Sequence, residues 1–228
     1  MGLTVVAGLL GDEVAQDPDV RAFTLSELET LNKVLARNGL PPHAEPAEAP
    51  ALDLDLFGQG PLHALRRLAA HLAQHGRLPE PGGPDASDDP VLQAYYARTP
   101  AGRGGLWGRL TGRRGAALHG FDHLILHSDC EGYYVPQDFP HPLHADPDEL
   151  SGGDVGSCVQ LEAECRRLAE AMGLPDDLTP DAPLLLEAFE GRGARRGWQR
   201  YGQEALACCR LLHVCQHARD TGTAIAFT

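Results

Sequence analysis

With 228 residues, 43% of them hydrophobic and 22% charged, the chain has the size and composition of one soluble globular domain. A formal net charge of −13 and a pI near 5.2 exclude broad binding to duplex nucleic acid or an anionic membrane, because neutralising phosphates needs surplus cations. The six cysteines form no C-x-x-C pair, and no apolar run approaches the roughly 20 residues of a membrane helix, so a zinc ribbon and a membrane span are both set aside.

In chain order, residues 4–10 read as a buried strand ended by Gly11 and Asp12. The start MGLTVVAGLLGDE has no basic region and no cleavage site of the usual secretory kind, which predicts a cytoplasmic, reducing location with free thiols. Thr24 or Ser26 can cap a helix with Leu28, Leu31, Val34 and Leu35 at helical spacing, stopped at Asn38 and Gly39 before Pro41. A proline-rich connector leads to a second helix over 61–75, with Gly76 as its stop. Residues 78–119 read as a flexible Pro/Gly/Arg-rich insertion in a single 1–228 domain, with a brief helix over 91–97. After Gly120, residues 121–127 fit a strand, 128–132 a turn and 133–135 a returning strand. Ser157 opens a helix closed by Gly173, residues 183–189 form a shorter one, 198–219 the longest, and 223–227 a closing strand. The predicted fold is α/β (α+β): a single mixed sheet of about four strands packed with about five helices.

The densest chemistry lies in FDHLILHSDCEGYYVPQDF, residues 121–139. A strand there would put His123 and His127 on one face about 13 Å apart, too far for one metal ion. His127, Asp129 and Glu131 are the candidates for acid–base work or a divalent metal, and the plainer reading makes Ser128 and Asp129 turn caps and His127 a backbone hydrogen-bond partner. Cys130 is a poor nucleophile between Asp129 and Glu131, whose charges disfavour its thiolate. His123, Tyr133, Tyr134 and Asp138 complete a candidate pocket. His213 and His217, with Cys209 four residues before, have the spacing of metal ligands on a helix, as do His71 and His75, but no acid lies between either pair. No metal or other cofactor is predicted. The P-loop, dinucleotide-binding and nucleophile-elbow patterns are all missing from the sequence.

Trp107 sits among Arg103, Arg109, Arg113 and Arg114 in a stretch without acids. Tryptophan and arginine are enriched in binding hot spots, so this basic segment predicts contact with an acidic protein partner.

The phrases MGLTVVAGLLGDE, NGLPPH (38–43), HSDCEGYYVPQDF, VGSCVQL (155–161) and GTAIAFT resemble a family of uncharacterised, mainly bacterial proteins. The resemblance implies no activity; it marks 127–134 and Asp138 as a focus, with 101–115 as an addition. The resulting expectation is a non-enzymatic binding subunit or adaptor in an intracellular assembly. The alternatives are a metal-assisted hydrolase using His127, Asp129 and Glu131, and a small-molecule sensor with Tyr133 or Tyr134 over a pocket.

Overall fold

The computed structural model describes residues 2–11, 17–82, 85–98, 120–192 and 196–228. Six strands, β1 (Thr4–Ala7), β2 (Leu52–Asp55), β3 (Tyr133–Val135), β4 (Leu143–His144), β5 (Asp154–Ser157) and β6 (Ile225–Phe227), form one sheet in the order β2-β1-β6-β3-β5-β4. Only β3 and β5 pair in parallel. Seven α-helices are described: α1 (Pro18–Arg37), α2 (Gln59–His75), α3 (Pro90–Arg98), α4 (Asp122–Ile125), α5 (Cys158–Met172), α6 (Pro183–Phe189) and α7 (Gly202–Thr221). The mixed α/β class and the single sheet agree with the sequence reading, but the strand and helix counts are higher. β4 and β5 are too short and too broken by Asp and Gly to show a period of two, and β2, whose L-D-L-D does alternate, is only four residues long.

Alternation along the strands sorts the core into two layers. Tyr133, Val135, Val155 and Ala226 face α1 and pack on Leu28, Leu31, Val34 and Leu35. Val5, Leu54, Tyr134, Ile225 and Phe227 face the other way, onto α2, α5 and α7. The α1 layer covers only part of its face: on β2, Leu54 is buried beneath the sheet while Asp53 and Asp55 lie exposed on the opposite side.

Local signals set the helix ends. Asp17 caps α1, its carboxylate accepting from the N–H groups of Asp19 and Val20, so the helix begins about two turns or more before the Thr24 or Ser26 start expected from sequence. Ser157 caps α5 and Gly173 ends it in the left-handed conformation. The last helix is a five-residue 3-10 turn over Gly197–Tyr201 leading into α7, and α1 equals α7 in length.

Residues 121–127 are not a strand. Asp122–Ile125 forms the short helix α4, because the buried carboxylate of Glu164 on α5 accepts from the N–H groups of His123 (3.1 Å) and Leu124 (2.7 Å). Two carboxyl oxygens beneath the free N–H groups of a helix start supply the acceptors that an isolated one-turn helix lacks. With only Phe121, Leu124, Ile125 and Leu126 as apolar side chains, these seven residues are too few for their spacing to separate strand from buried helix, which is why the sequence misleads.

Candidate functional site

The structure divides the reactive-looking stretch into a buried half and a surface half. His123 is buried; its Nε2 donates to the Phe139 carbonyl at 3.1 Å and its Nδ1 accepts the Ser157 N–H at 3.0 Å. Only the neutral ring can do both, and burial pushes its pKa down to about 4. His127 is stacked on Tyr134, centroids 4.0 Å apart, with Nδ1 and Nε2 each 3.1 Å from a carbonyl oxygen, of Ser128 and Tyr133. Burial lowers its pKa to about 4 against the opposing charge of Asp154. Gly132 presses on this ring: a Cβ there would lie 2.8 Å from it. Tyr133 donates its hydroxyl to Glu27, and Tyr134 to the His123 carbonyl. Arg66 ties the stretch down from α2, donating to the carbonyls of Leu124, His127 and Ser128.

The surface half is scattered. Ser128 Oγ accepts from the N–H groups of Cys130 and Glu131, capping the turn. Asp129 leaves the turn and meets His63 Nε2 at 2.7 Å. Burial raises its carboxyl pKa, but the His63 bond and the Arg66 charge outweigh this and hold it below the usual range. Cys130 and Glu131 are exposed, and Asp138 accepts from Gln160 at 2.6 Å. The ring of His127 is therefore turned to backbone while Asp129 turns to His63, and the two do not converge with Glu131 on a shared point. On α7, His213 Nδ1 lies 3.0 Å from the Cys209 carbonyl and His217 Nε2 donates to the Pro50 carbonyl. His71 meets Asp89. Among the described residues no group of three or more His, Cys, Asp or Glu side chains is placed to hold a metal ion. Trp107, Arg103, Arg109, Arg113 and Arg114 lie outside the described residues.

A second surface, unremarked in the sequence, lies at the β2 edge. Asp53 and Asp55 are exposed and make no ion pair among the described residues. The strand ends in Phe57, the one non-glycine residue described with positive φ (57°), and 47% exposed. A left-handed conformation costs a residue other than glycine roughly 1–2 kcal/mol. Three contacts and the turn that follows hold Phe57 there. Its N–H donates to Asp55 at 2.6 Å, its ring stacks on Phe189 at 5.1 Å, the Arg210 guanidinium lies 4.8 Å from its centroid, and Gly58 continues the turn at φ 100°. Arg210 is buried and gathers the neighbours: it donates to the Asp55 and Pro180 carbonyls and lies 3.7 Å from Asp181. A sequence signal existed in the L-D-L-D alternation of β2, which marks a half-buried strand with acids on its open face.

Beyond this edge, exposed carboxylates recur. Asp146 and Asp148 project from the loop before β5, and Glu170, Asp176, Asp177 and Glu187 from α5, α6 and the segment between them, none ion-paired among the described residues. Nearly the whole chain, residues 1–227, matches the family model described as Putative DNA-mimic protein. The chain belongs to this family. Nothing among curated proteins or solved structures matches it. Membership corrects two expectations. A mimic of DNA works through negative charge, so neither a basic segment meeting an acidic partner nor a metal-assisted hydrolase at 127–131 stands. No helix among the described residues is long and apolar enough to cross a membrane.

Proposed function

We propose that the protein binds a DNA-binding protein in place of DNA, presenting carboxylates where a duplex presents phosphates. The observation that carries this reading is the family's description joined to the disposition of charge. The chain is strongly acidic, and Asp53, Asp55, Asp146, Asp148, Glu170, Asp176, Asp177 and Glu187 face solvent without an ion-pair partner among the described residues. The described residues are more acidic than the chain as a whole. Five arginines (103, 109, 113, 114, 195) lie outside them, against two acids, Asp12 and Glu13.

Phosphate contacts supply most of the non-specific affinity of DNA-binding proteins and fix their register. A protein with rigidly placed carboxylates can take over those contacts. In β2 the Asp53–Asp55 spacing is about 6.7 Å, since a strand advances ~3.3–3.4 Å per residue. That is about two axial steps of a DNA strand. Such binding weakens steeply with salt.

The test is displacement. DNA-binding proteins are loaded on immobilised duplex, and the purified chain is added at low and at high salt. The chain is expected to release bound protein at low salt, where an unrelated globular protein of equal net charge does not. Equal release by both would reduce the effect to bulk charge, and no release at either salt would end this reading.

A further inference from the structure

Resting on that reading, we infer that the docking surface is the β2 edge with Phe57 as its anchor, and that the partner is a DNA-binding protein whose basic side chains surround an apolar or aromatic one used on bases.

The edge combines features not described together elsewhere in the fold. Antiparallel pairing with β1 turns the Leu56 N–H to the Leu3 carbonyl, so the alternate residues Asp53 and Asp55 direct their backbone groups outward. Their side chains lie on the part of the sheet face that α1 leaves open. At the end of this acidic edge stands an exposed aromatic ring on a backbone that disfavours it. Asp55, Phe189 and Arg210 fix it, so little conformational freedom remains to be lost on binding. Strained residues persist where the surroundings over-determine them, and they cluster at binding sites. Asp181, its side chain 86% exposed, lies 3.7 Å from Arg210, and Glu190, paired with Arg192, follows Phe189 in the chain, so two more carboxylates flank the residues of the Phe57–Phe189 stack.

Charge complementarity names the occupant. An apolar centre ringed by carboxylates fits a partner with an apolar or aromatic centre ringed by Arg and Lys. Proteins that wedge a side chain between base steps or stack bases on aromatic rings have that layout. A reader of base edges through Arg or Asn hydrogen bonds would leave those groups unpaired against Phe57. Phe57 thus stands in for a base and Asp53 and Asp55 for the phosphates beside it.

Charges on an edge strand also guard against strand pairing between molecules. Charge reversal separates the two roles, because lysine guards an edge as well as aspartate does.

The experiment repeats the displacement from immobilised duplex with variants of the 228-residue chain, each checked for a native unfolding transition and an elution volume unchanged from wild type. D53K/D55K is expected to lose at least tenfold in the concentration needed for release. F57A is expected to lose several-fold. F57G, which relieves the positive φ and so keeps the fold, is expected to match F57A, and F57W to retain activity. E29K and F23A on the exposed side of α1 are the controls and are expected to release as wild type does. Released proteins, identified by mass spectrometry, are expected to be wedge-forming or base-stacking binders. If the wild type releases protein and the β2 and Phe57 variants do so equally well, or the controls fail instead, the surface assignment falls while the mimicry reading survives. Release confined to base-edge readers would overturn the partner class. If the wild type releases nothing, both readings fall together.

Discussion

Residues 121–139 and residues 53–57 both bring polar, aromatic and charged side chains together, and the fold treats them in opposite ways. In the first, His123 and His127 give both ring nitrogens to backbone groups, Tyr133 and Tyr134 give their hydroxyls to Glu27 and a carbonyl, and Arg66 binds three carbonyls from beneath. In the second, Asp53 has no partner among the described residues and Phe57 is held in a costly conformation with nearly half its surface open. Reactive side-chain types are therefore a poor guide when the backbone consumes them. Groups left free, or strained without a structural return, point more directly to a partner.

The largest test of this contrast is Arg66→Met. It removes the donor shared by three carbonyls and leaves those of Leu124 and His127 without it in the interior, a loss of about 3–5 kcal/mol in urea unfolding. A variant within about 0.5 kcal/mol of wild type would show that the 121–139 stretch is not held by these bonds.

Glu164 sharpens the same side. Burial is the dominant influence on its carboxyl and pushes the pKa up to about 8, although two N–H groups and Arg167 favour the charged form. A carboxyl raised in the folded state contributes stability that is complete below its ordinary value of 4.5 and is lost as pH rises through about 8. Wild type should therefore lose stability relative to Glu164→Gln by about 1.4 kcal/mol per pH unit across that window. Parallel stability profiles from pH 5 to pH 8 would mean the carboxylate is already charged beneath α4.

Gly156→Ala probes the packing behind the stretch. A Cβ at 156 would lie 2.2 Å from the Tyr134 ring on the neighbouring strand, which stacks in turn on His127. The expected loss is about 1–3 kcal/mol, as for overpacking elsewhere, read as a lower midpoint in denaturant. An unchanged midpoint would mean that the Tyr134–His127 stack yields freely.

Much of this architecture was legible in the sequence, and the failures have physical causes. α2, α3, α5 and α6 could be placed because their apolar spacing, glycine stops and proline starts agree with the fold. α4 could not, because the carboxylate that stabilises it arrives from Glu164, some forty residues away in sequence. β4 and β5 were invisible for the same reason: β5 is fixed by pairing with β3, and the two residues of β4 by pairing with β5, not by their own pattern. At the site, the residues of 121–139 could be named but not their fate, since hydrogen bonds from Phe139, Ser157 and Arg66 decide it. The β2 edge was readable as L-D-L-D, but its interest depends on Phe189, Arg210 and Asp181, which only the fold brings to it.

The smallest predicted effect is the one that joins the two regions. Asp129 and His63 form a partly exposed pair, 2.7 Å apart, on the surface half of the stretch. Solvent screens such pairs, so Asp129→Asn should cost about 0.5 kcal/mol or less at neutral pH. The carboxyl is held below its ordinary 3.8, so this contribution is present above that value and disappears as pH falls further. The same variant should displace proteins from immobilised duplex as well as wild type does, since Asp129 already has its partner in His63. A marked loss of displacement in Asp129→Asn, with stability intact, would return the turn at 128–131 to the centre of function and set the β2 edge aside.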